Sequence, residues 1–213
     1  MTGTPSERRL ELVAVRHGRT AWNRDKRYQG HTDVPLDDVG RAQARLVGVG
    51  LAPLCFDGAV SSDLSRARET ADIVLGMRHL AVALDARWRE LAFGAWEGLT
   101  WSEIVVAFPE LAKPDAGTPF PTPEGGESFS ALCSRVGEAV AAVDSAYPDG
   151  ARVLIATHAG PLHALLHVTL GERAEALAVT FAPGSVTRIV REAGHPWQIA
   201  ELNRVPRPAE TDL

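Results

Sequence analysis

The chain has 213 residues, 45% hydrophobic and 23% charged, with 22 Lys and Arg against 27 Asp and Glu and a net charge of −5. That length and mixture fit one soluble globular domain, or one domain carrying a sizeable insertion. The acidic balance argues against a general nucleic-acid or anionic-membrane surface, either of which would show a basic excess.

No apolar run approaches the ~20 residues that a membrane-spanning helix needs. Residues Met1 to Arg9 are polar and carry no apolar stretch of a secretory leader, so a cytoplasmic location is expected. Cys55 and Cys133 lie in apolar surroundings with neither CxxC spacing nor nearby histidines, and are expected as buried, reduced thiols.

The first element is a short apolar run, Leu10 to Val15, that reads as a buried strand. It ends in Arg16-His17-Gly18-Arg19-Thr20-Ala21-Trp22-Asn23, followed by a polar, turn-rich loop over 24–35. A helix is expected from Asp37 to Leu51, with Val39, Ala42, Leu46 and Val49 as its apolar stripe. Gly48-Val49-Gly50 falls inside that helix, lacks a third glycine, and is no dinucleotide fingerprint. Phe56 to Ser61 is a second strand, and Ser62 or Asp63 can cap a helix running to Leu75. Leu80 to Leu84 is a third short strand, and the stretch from Trp88 to Leu99 reads as an ordered loop.

From Lys113 to Gly126 the chain holds four prolines and three glycines, which suits a lid or rim loop and not a core element. A long helix from Ser128 to Tyr147 carries Phe129, Leu132, Cys133, Val136, Val140 and Val143 on one stripe. Arg152 to Thr157 is another buried strand, after which Pro161 suits the first position of a helix to Leu170. Val179 to Phe181, Val186 to Val190 and Trp197 to Leu202 read as strands. Strands alternating with helices predict an α/β three-layer sandwich, a mostly parallel central sheet with helices on both faces. The expected organisation is a single domain over 1–213, with a rim insertion at about 92–127 and a flexible tail from about 205.

In such sheets ligands bind at the carboxyl ends of the strands. Several polar groups fall there. The first strand ends at Arg16-His17; the second feeds Ser61-Ser62-Asp63-Leu64-Ser65-Arg66; the strand ending at Thr157 delivers His158, with Ala159-Gly160 at a helix start. Glu90 lies just beyond the third strand. Arginines supply charge and forked donors, glycine permits close backbone approach, and helix N-termini favour anions, so the edge suits phosphate.

These stretches carry a resemblance. Arg16-His17-Gly18-x-Thr20-x-x-Asn23, Ser62-x-Leu64-x-Arg66-Ala67-x-x-Thr70, Glu90 ahead of Phe93-Gly94-x-Trp96-Glu97-Gly98, and Thr157-His158-x-Gly160 resemble, in order and spacing, the histidine phosphatase (phosphoglycerate mutase-like) superfamily. The resemblance implies that His17 attacks phosphorus and becomes phosphohistidine, which water then hydrolyses. By the same resemblance Arg16, Arg66 and His158 hold phosphoryl oxygens, Asn23 adds a donor, and Gln29 and Gly30 border the phosphate or the leaving group. Ala159 and Gly160 complete the expected substrate-binding set. Glu90 protonates the leaving oxygen and later accepts a proton from water. Arg19 is not expected in this clamp.

The chemistry makes such a cluster necessary. Acceleration of phosphate monoester hydrolysis can approach ~10²¹-fold, or roughly 29 kcal/mol. A charge-assisted hydrogen bond contributes only about 1.5–3 kcal/mol to stability. If transition-state contributions are of that order, no single arginine suffices. Neighbouring cations also disfavour imidazolium, which keeps the lone pair of His17 available.

Within the family the Phe93 to Gly98 stretch resembles the phosphatase branch. The expected function is therefore a phosphomonoester hydrolase acting on a small phosphorylated metabolite. The alternatives are a cofactor-dependent phosphoglycerate mutase and, in another class, a non-catalytic phosphate- or phosphoprotein-binding module, which should have lost His17, Glu90 or His158. No cofactor, metal, nucleic-acid or membrane partner is expected, and a homodimer is left open. His163 and His167 are four apart on a helix but have no acidic or thiol companion for a metal. His31 reads as an exposed loop residue, and Trp96 and Trp101 as packing under the rim. Ser128 lacks the flanking glycine of a nucleophile elbow.

Overall fold

Strand β1, Leu10–Arg16, is apolar at odd and even positions alike, and the fold buries both of its sides. Leu10, Leu12 and Ala14 join one core cluster, while Val13 and Val15 join another on the opposite face. Continuous apolar character is what a strand needs when helices cover both faces of its sheet. The first cluster is completed by α5, Phe129–Ala146, and α6, Ala159–Leu170; the second by α2, Asp38–Gly50, and α3, Ser65–Leu75.

The structure is a computed structural model and describes residues 8–112, 121–174 and 179–207. Much of the expected rim loop (113–120) and most of the tail lie outside the described residues. The remaining strands are β2 (Gly58–Ser61), β3 (Val82–Leu84), β4 (Ala151–Thr157), β5 (Val186–Arg191) and β6 (Gln198–Arg204). They form one six-stranded sheet in the order β3-β2-β4-β1-β5-β6. The pairs β3–β2, β2–β4 and β4–β1 are parallel, and β5 and β6 are antiparallel additions. This is the α/β three-layer sandwich with a mostly parallel sheet that the alternation of elements predicts.

Register, more than strand order, decides which side chains meet at the sheet edge. β1 and β4 run side by side with Arg16 opposite Thr157, and the N–H of His17 donates to the Thr157 carbonyl at 2.9 Å. The next residue of each strand is therefore a histidine, and the two are neighbours.

Several local expectations are corrected. The apolar stripe of α2 is Gly40, Ala44 and Val47, whereas Val39 is 43% and Val49 72% exposed. Both stripes fit the helical period, and close approach decides between them. A Cβ on Gly40 would lie 2.1 Å from the Arg19 carbonyl oxygen, and one on Gly18 2.3 Å from that of Gly40. Gly18 thus makes room for α2, not for an anion. Cys55 is exposed and Cys133 only partly buried.

Val179 to Phe181 is not a strand. Its backbone serves side chains instead: the Thr180 carbonyl accepts from Asn203 Nδ2, and the Phe181 carbonyl from Arg16 Nη1. Pro161 is the third residue of α6, because that helix starts at Ala159 on an His158 N-cap. Helix α3 is capped by Leu64 without a side-chain bond, so neither Ser62 nor Asp63 takes that place.

Two further helices fall where none was expected. Helix α1 is the single turn Ala21–Arg24, and α4 spans Trp101–Ala107. Both open with a capping box, Thr20 with Asn23 and Thr100 with Glu103.

Leu154 is fully buried on β4; Leu154→Ala should destabilise the fold by about 2–5 kcal/mol in urea unfolding. Val49→Ala, on the exposed side of α2, should change stability by less than about 0.5 kcal/mol.

Candidate active site

The parallel strand ends bring His17, Arg66 and His158 together, almost without solvent contact. The two imidazole rings meet edge-on, with centroids 5.0 Å apart. Arg16, Asn23, Gln29 and Glu90 line a cleft of about 360 Å³ in front of them, with Lys26, Arg27 and Trp101.

Hydrogen bonding sets the tautomer of each histidine. His17 Nδ1 lies 2.7 Å from the Gly18 carbonyl. A carbonyl only accepts, so Nδ1 carries the proton and Nε2 keeps a lone pair. Burial first, then Arg66 and Arg16, hold the His17 pKa well below 6.5, against the Gly18 bond. The ring is neutral at physiological pH.

His158 has the opposite tautomer. Its Nδ1 accepts from Arg66 Nε at 3.2 Å, so its Nε2 bears the proton and donates to Ser62 Oγ at 2.9 Å. Burial, then Arg66, also keeps this ring neutral. In this arrangement His158 orients Arg66 and is itself held by Ser62, the residue that follows β2.

Arg66 is fully buried and Arg16 partly so, and neither has an ion pair among the described residues. Arg66, second in α3, donates from Nη2 to the Gly30 carbonyl at 2.7 Å and from Nη1 to that of Thr32 at 2.9 Å. Gly30 therefore anchors a cation through its carbonyl. Arg16 donates from Nη1 to the Phe181 carbonyl, while its buried Nε has no partner. Burial lowers the pKa of both guanidiniums, and Glu90 opposes this. Arg19 turns away to Asp37, at 2.8 Å.

Asn23 and Gln29 meet at Thr20. Their side-chain oxygens lie 3.1 and 3.0 Å from the Thr20 hydroxyl, whose single proton serves one of them at a time. Asn23 Oδ1 also accepts the Thr20 N–H. With their oxygens turned to Thr20, both amide groups are left as donors at the cleft.

Glu90 is the most tightly held residue of the site. Its Oε1 accepts the N–H of Leu91 at 2.9 Å and that of Gly160 at 2.8 Å. Its carbonyl accepts from Arg135 Nη2 at 2.8 Å and His31 Nε2 at 2.9 Å. The Gly160 N–H is thus spent on Glu90, while Ala159, half-buried at the first position of α6, makes no side-chain bond. The N–H of Ser65, at the start of α3, likewise goes to Asp33. Oε2 of Glu90 has no hydrogen bond among the described residues.

Sequence reasoning missed the frame around Glu90. Arg135 on α5 donates to the carbonyls of Arg87, Arg89 and Glu90 and pairs with Glu127 through two bonds of 2.7 Å. Glu97 accepts the N–H groups of His31, Thr32 and Phe93, bracing the loop that binds Arg66. Burial pushes its pKa up, but the bonds from Thr32, His31 and Phe93 outweigh burial and leave it low. Glu97 stood in a recognisable stretch without a role; nothing local marked Arg135. His31 has an exposed surface but a bonded ring. Trp96 packs beneath the rim as expected, whereas Trp101 is 41% exposed and borders the cleft. Among the described residues no cluster of three or more His, Cys, Asp or Glu side chains is placed to hold a metal ion.

The neutral histidines predict a pH-dependent stability. The unfolded chain binds protons below about pH 6.5 that the buried rings refuse, so stability is full above that value and lost as pH falls below it. The loss should reach about 1.4 kcal/mol per pH unit per histidine. Urea midpoints at pH 7 and 5.5 measure it, and His17→Gln should shrink the difference.

Comparison with known proteins agrees with this geometry. Residues 12–205 match the histidine phosphatase superfamily (branch 1). The phosphatase PhoE of Bacillus subtilis, itself described as uncharacterized, is 31% identical over 90% of this chain and 93% of its own. Phosphoglycerate mutase-like protein 4 of Arabidopsis thaliana is 37% identical over 73% of this chain and 69% of its own. Among solved structures, mycobacterial glucosyl-3-phosphoglycerate phosphatase superposes with a TM-score of 0.82 and 30% identity, covering 92% of this chain and 99% of that one. The fold, the order of the motifs and these matches agree, and the chain belongs to branch 1 of the histidine phosphatase superfamily.

Proposed function

We propose that the chain is a phosphomonoester hydrolase that acts on a small phosphorylated metabolite through a phosphohistidine at His17. The observation that carries this reading is the pair of guanidiniums, Arg16 and Arg66, that have no ion pair among the described residues and lie beside a neutral imidazole whose tautomer leaves Nε2 unprotonated. Two cations without a counter-ion suit an anion, and a phosphoryl group is one. The related mycobacterial phosphatase has been solved in complex with VO3 and with inorganic phosphate, which supports an oxyanion as the ligand class.

In the proposed reaction His17 Nε2 attacks phosphorus in line as the ester P–O bond breaks. Glu90, entering as the acid, gives its Oε2 proton to the departing alcohol oxygen. Arg16 and Arg66 balance the charge on the phosphoryl oxygens, with the amides of Asn23 and Gln29 as further donors. Water then attacks the phosphohistidine and returns a proton to Glu90, which releases phosphate and restores His17. No step calls for a metal ion.

The mutase reading has support in the name of the Arabidopsis relative. A mutase must retain a bisphosphate and exclude water. Formation of 2-phosphoglycerate from 3-phosphoglycerate in the presence of bisphosphoglycerate would favour it. A binding module without turnover is disfavoured, because His17, Glu90 and His158 are all in place.

Hydrolysis of p-nitrophenyl phosphate should persist in EDTA, with an acid-labile phosphoenzyme trapped by rapid quench. Loss of activity in EDTA, or full activity in His17→Ala, would refute the mechanism. Glu90→Gln should slow alkyl phosphates about 10²-fold or more, and p-nitrophenyl phosphate much less, because nitrophenolate leaves without a proton. Gly160→Ala should reproduce that pattern in weaker form, since its Cβ would stand 2.3 Å from Glu90 Oε1.

A further inference from the structure

The cleft has a second arm. Tyr28 and Phe93 border both arms, their rings edge-to-face with centroids 4.8 Å apart. Beyond them lies a chamber of about 480 Å³ lined by Leu91, Phe129, Leu132 and His163. It adjoins the proposed acid, which itself lines the first arm: Leu91 follows Glu90 in the chain, and Gly160, whose N–H holds Glu90 Oε1, is part of the chamber wall.

The two arms differ in charge. Arg16, Lys26 and Arg27 line the first, whereas among the described residues no lysine or arginine lines the second. The one carboxylate on the chamber wall among the described residues, Glu127, is bound through both oxygens by Arg135. The half-buried His163 ring packs edge-on against Phe181, and burial lowers its pKa, which favours a neutral ring. A carboxylate or second phosphate entering here would lose water and gain no cation.

We propose that this chamber is the leaving-group subsite, and that the natural substrate is the phosphate ester of an alcohol with an uncharged, apolar body of one or two rings. A leaving oxygen protonated by Glu90 has its carbon frame at the chamber mouth. A cavity of ~150 Å³ already accepts benzene, so this chamber has room for a bicyclic group. The assignment rests on the phosphatase reading.

The test uses primary alkyl phosphates, from ethyl to butyl, hexyl and 2-phenylethyl, whose leaving alcohols have similar acidity. In the proposal kcat/KM rises about threefold to fourfold for each methylene that enters the chamber. Phe129 is the first residue of α5 and 45% exposed, so an acidic residue there suits the helix N-terminus and should fold. Phe129→Asp should flatten the dependence on chain length, and Phe129→Leu should keep it.

A flat series in the unaltered protein, or preference for 3-phosphoglycerate or glycerol 3-phosphate over hexyl phosphate, overturns the subsite while leaving the phosphatase reading intact. A rising series that Phe129→Asp does not flatten places the apolar body elsewhere and also overturns it. Failure to hydrolyse any of these esters or p-nitrophenyl phosphate overturns the phosphatase reading, and the subsite with it.

Discussion

Two guanidinium groups, that of Arg66 fully buried and that of Arg16 partly so, lie beside two imidazoles, and among the described residues no carboxylate pairs with either. Burying an unpaired charge is among the most expensive things a fold does. Here the cost is reduced by backbone dipoles: Phe181 accepts from Arg16, and Gly30 and Thr32 from Arg66. Carbonyls spread the charge but do not cancel it. Burial first, and this remaining positive field second, keep His17 and His158 neutral, and the field suits an anion.

Much of the surrounding structure serves to hold those cations in place. The loop that supplies the Gly30 and Thr32 carbonyls is braced by Glu97 through three backbone N–H groups. The start of α3 is tied to the segment before Glu90 by the Asp63–Arg89 pair at 2.5 Å. Phe181 can receive Arg16 because its segment leaves the sheet. The same logic governs Glu90, whose carbonyl and one carboxylate oxygen are both occupied. The atoms left without a hydrogen bond among the described residues include those the proposed reaction uses: His17 Nε2, Glu90 Oε2 and the amides at the mouth.

The helix N-termini show how a generic rule can be redirected. A free N–H at a helix start favours an acceptor, and the acceptors that α3 and α6 receive belong to the protein: Asp33 at Ser65 and Glu90 at Gly160. In α6 that bond fixes the proposed acid in space. In the proposed reaction the phosphate is left to the side-chain cations and amides.

What the sequence by itself determined is what is periodic or contiguous. The doubly apolar β1, the alternation of strands and helices, and the Arg16-His17, Arg66, Glu90 and His158 motifs could all be read in chain order. The capping box of Thr100 with Glu103 follows the Ser/Thr-x-x-Glu/Gln pattern and is legible in the same way. The tertiary structure alone decided matters that depend on approach through space. It chose the buried stripe of α2 by packing Gly40 against the Arg19 backbone, exposed Cys55, and drew the Phe181 carbonyl away from the sheet to Arg16. It also brought Arg135, 45 residues along the chain, to the Glu90 carbonyl. The physical reason is common to these cases. Local pattern specifies which residues prefer to be buried, but a buried carbonyl or guanidinium must find its partner wherever the packed chain brings one.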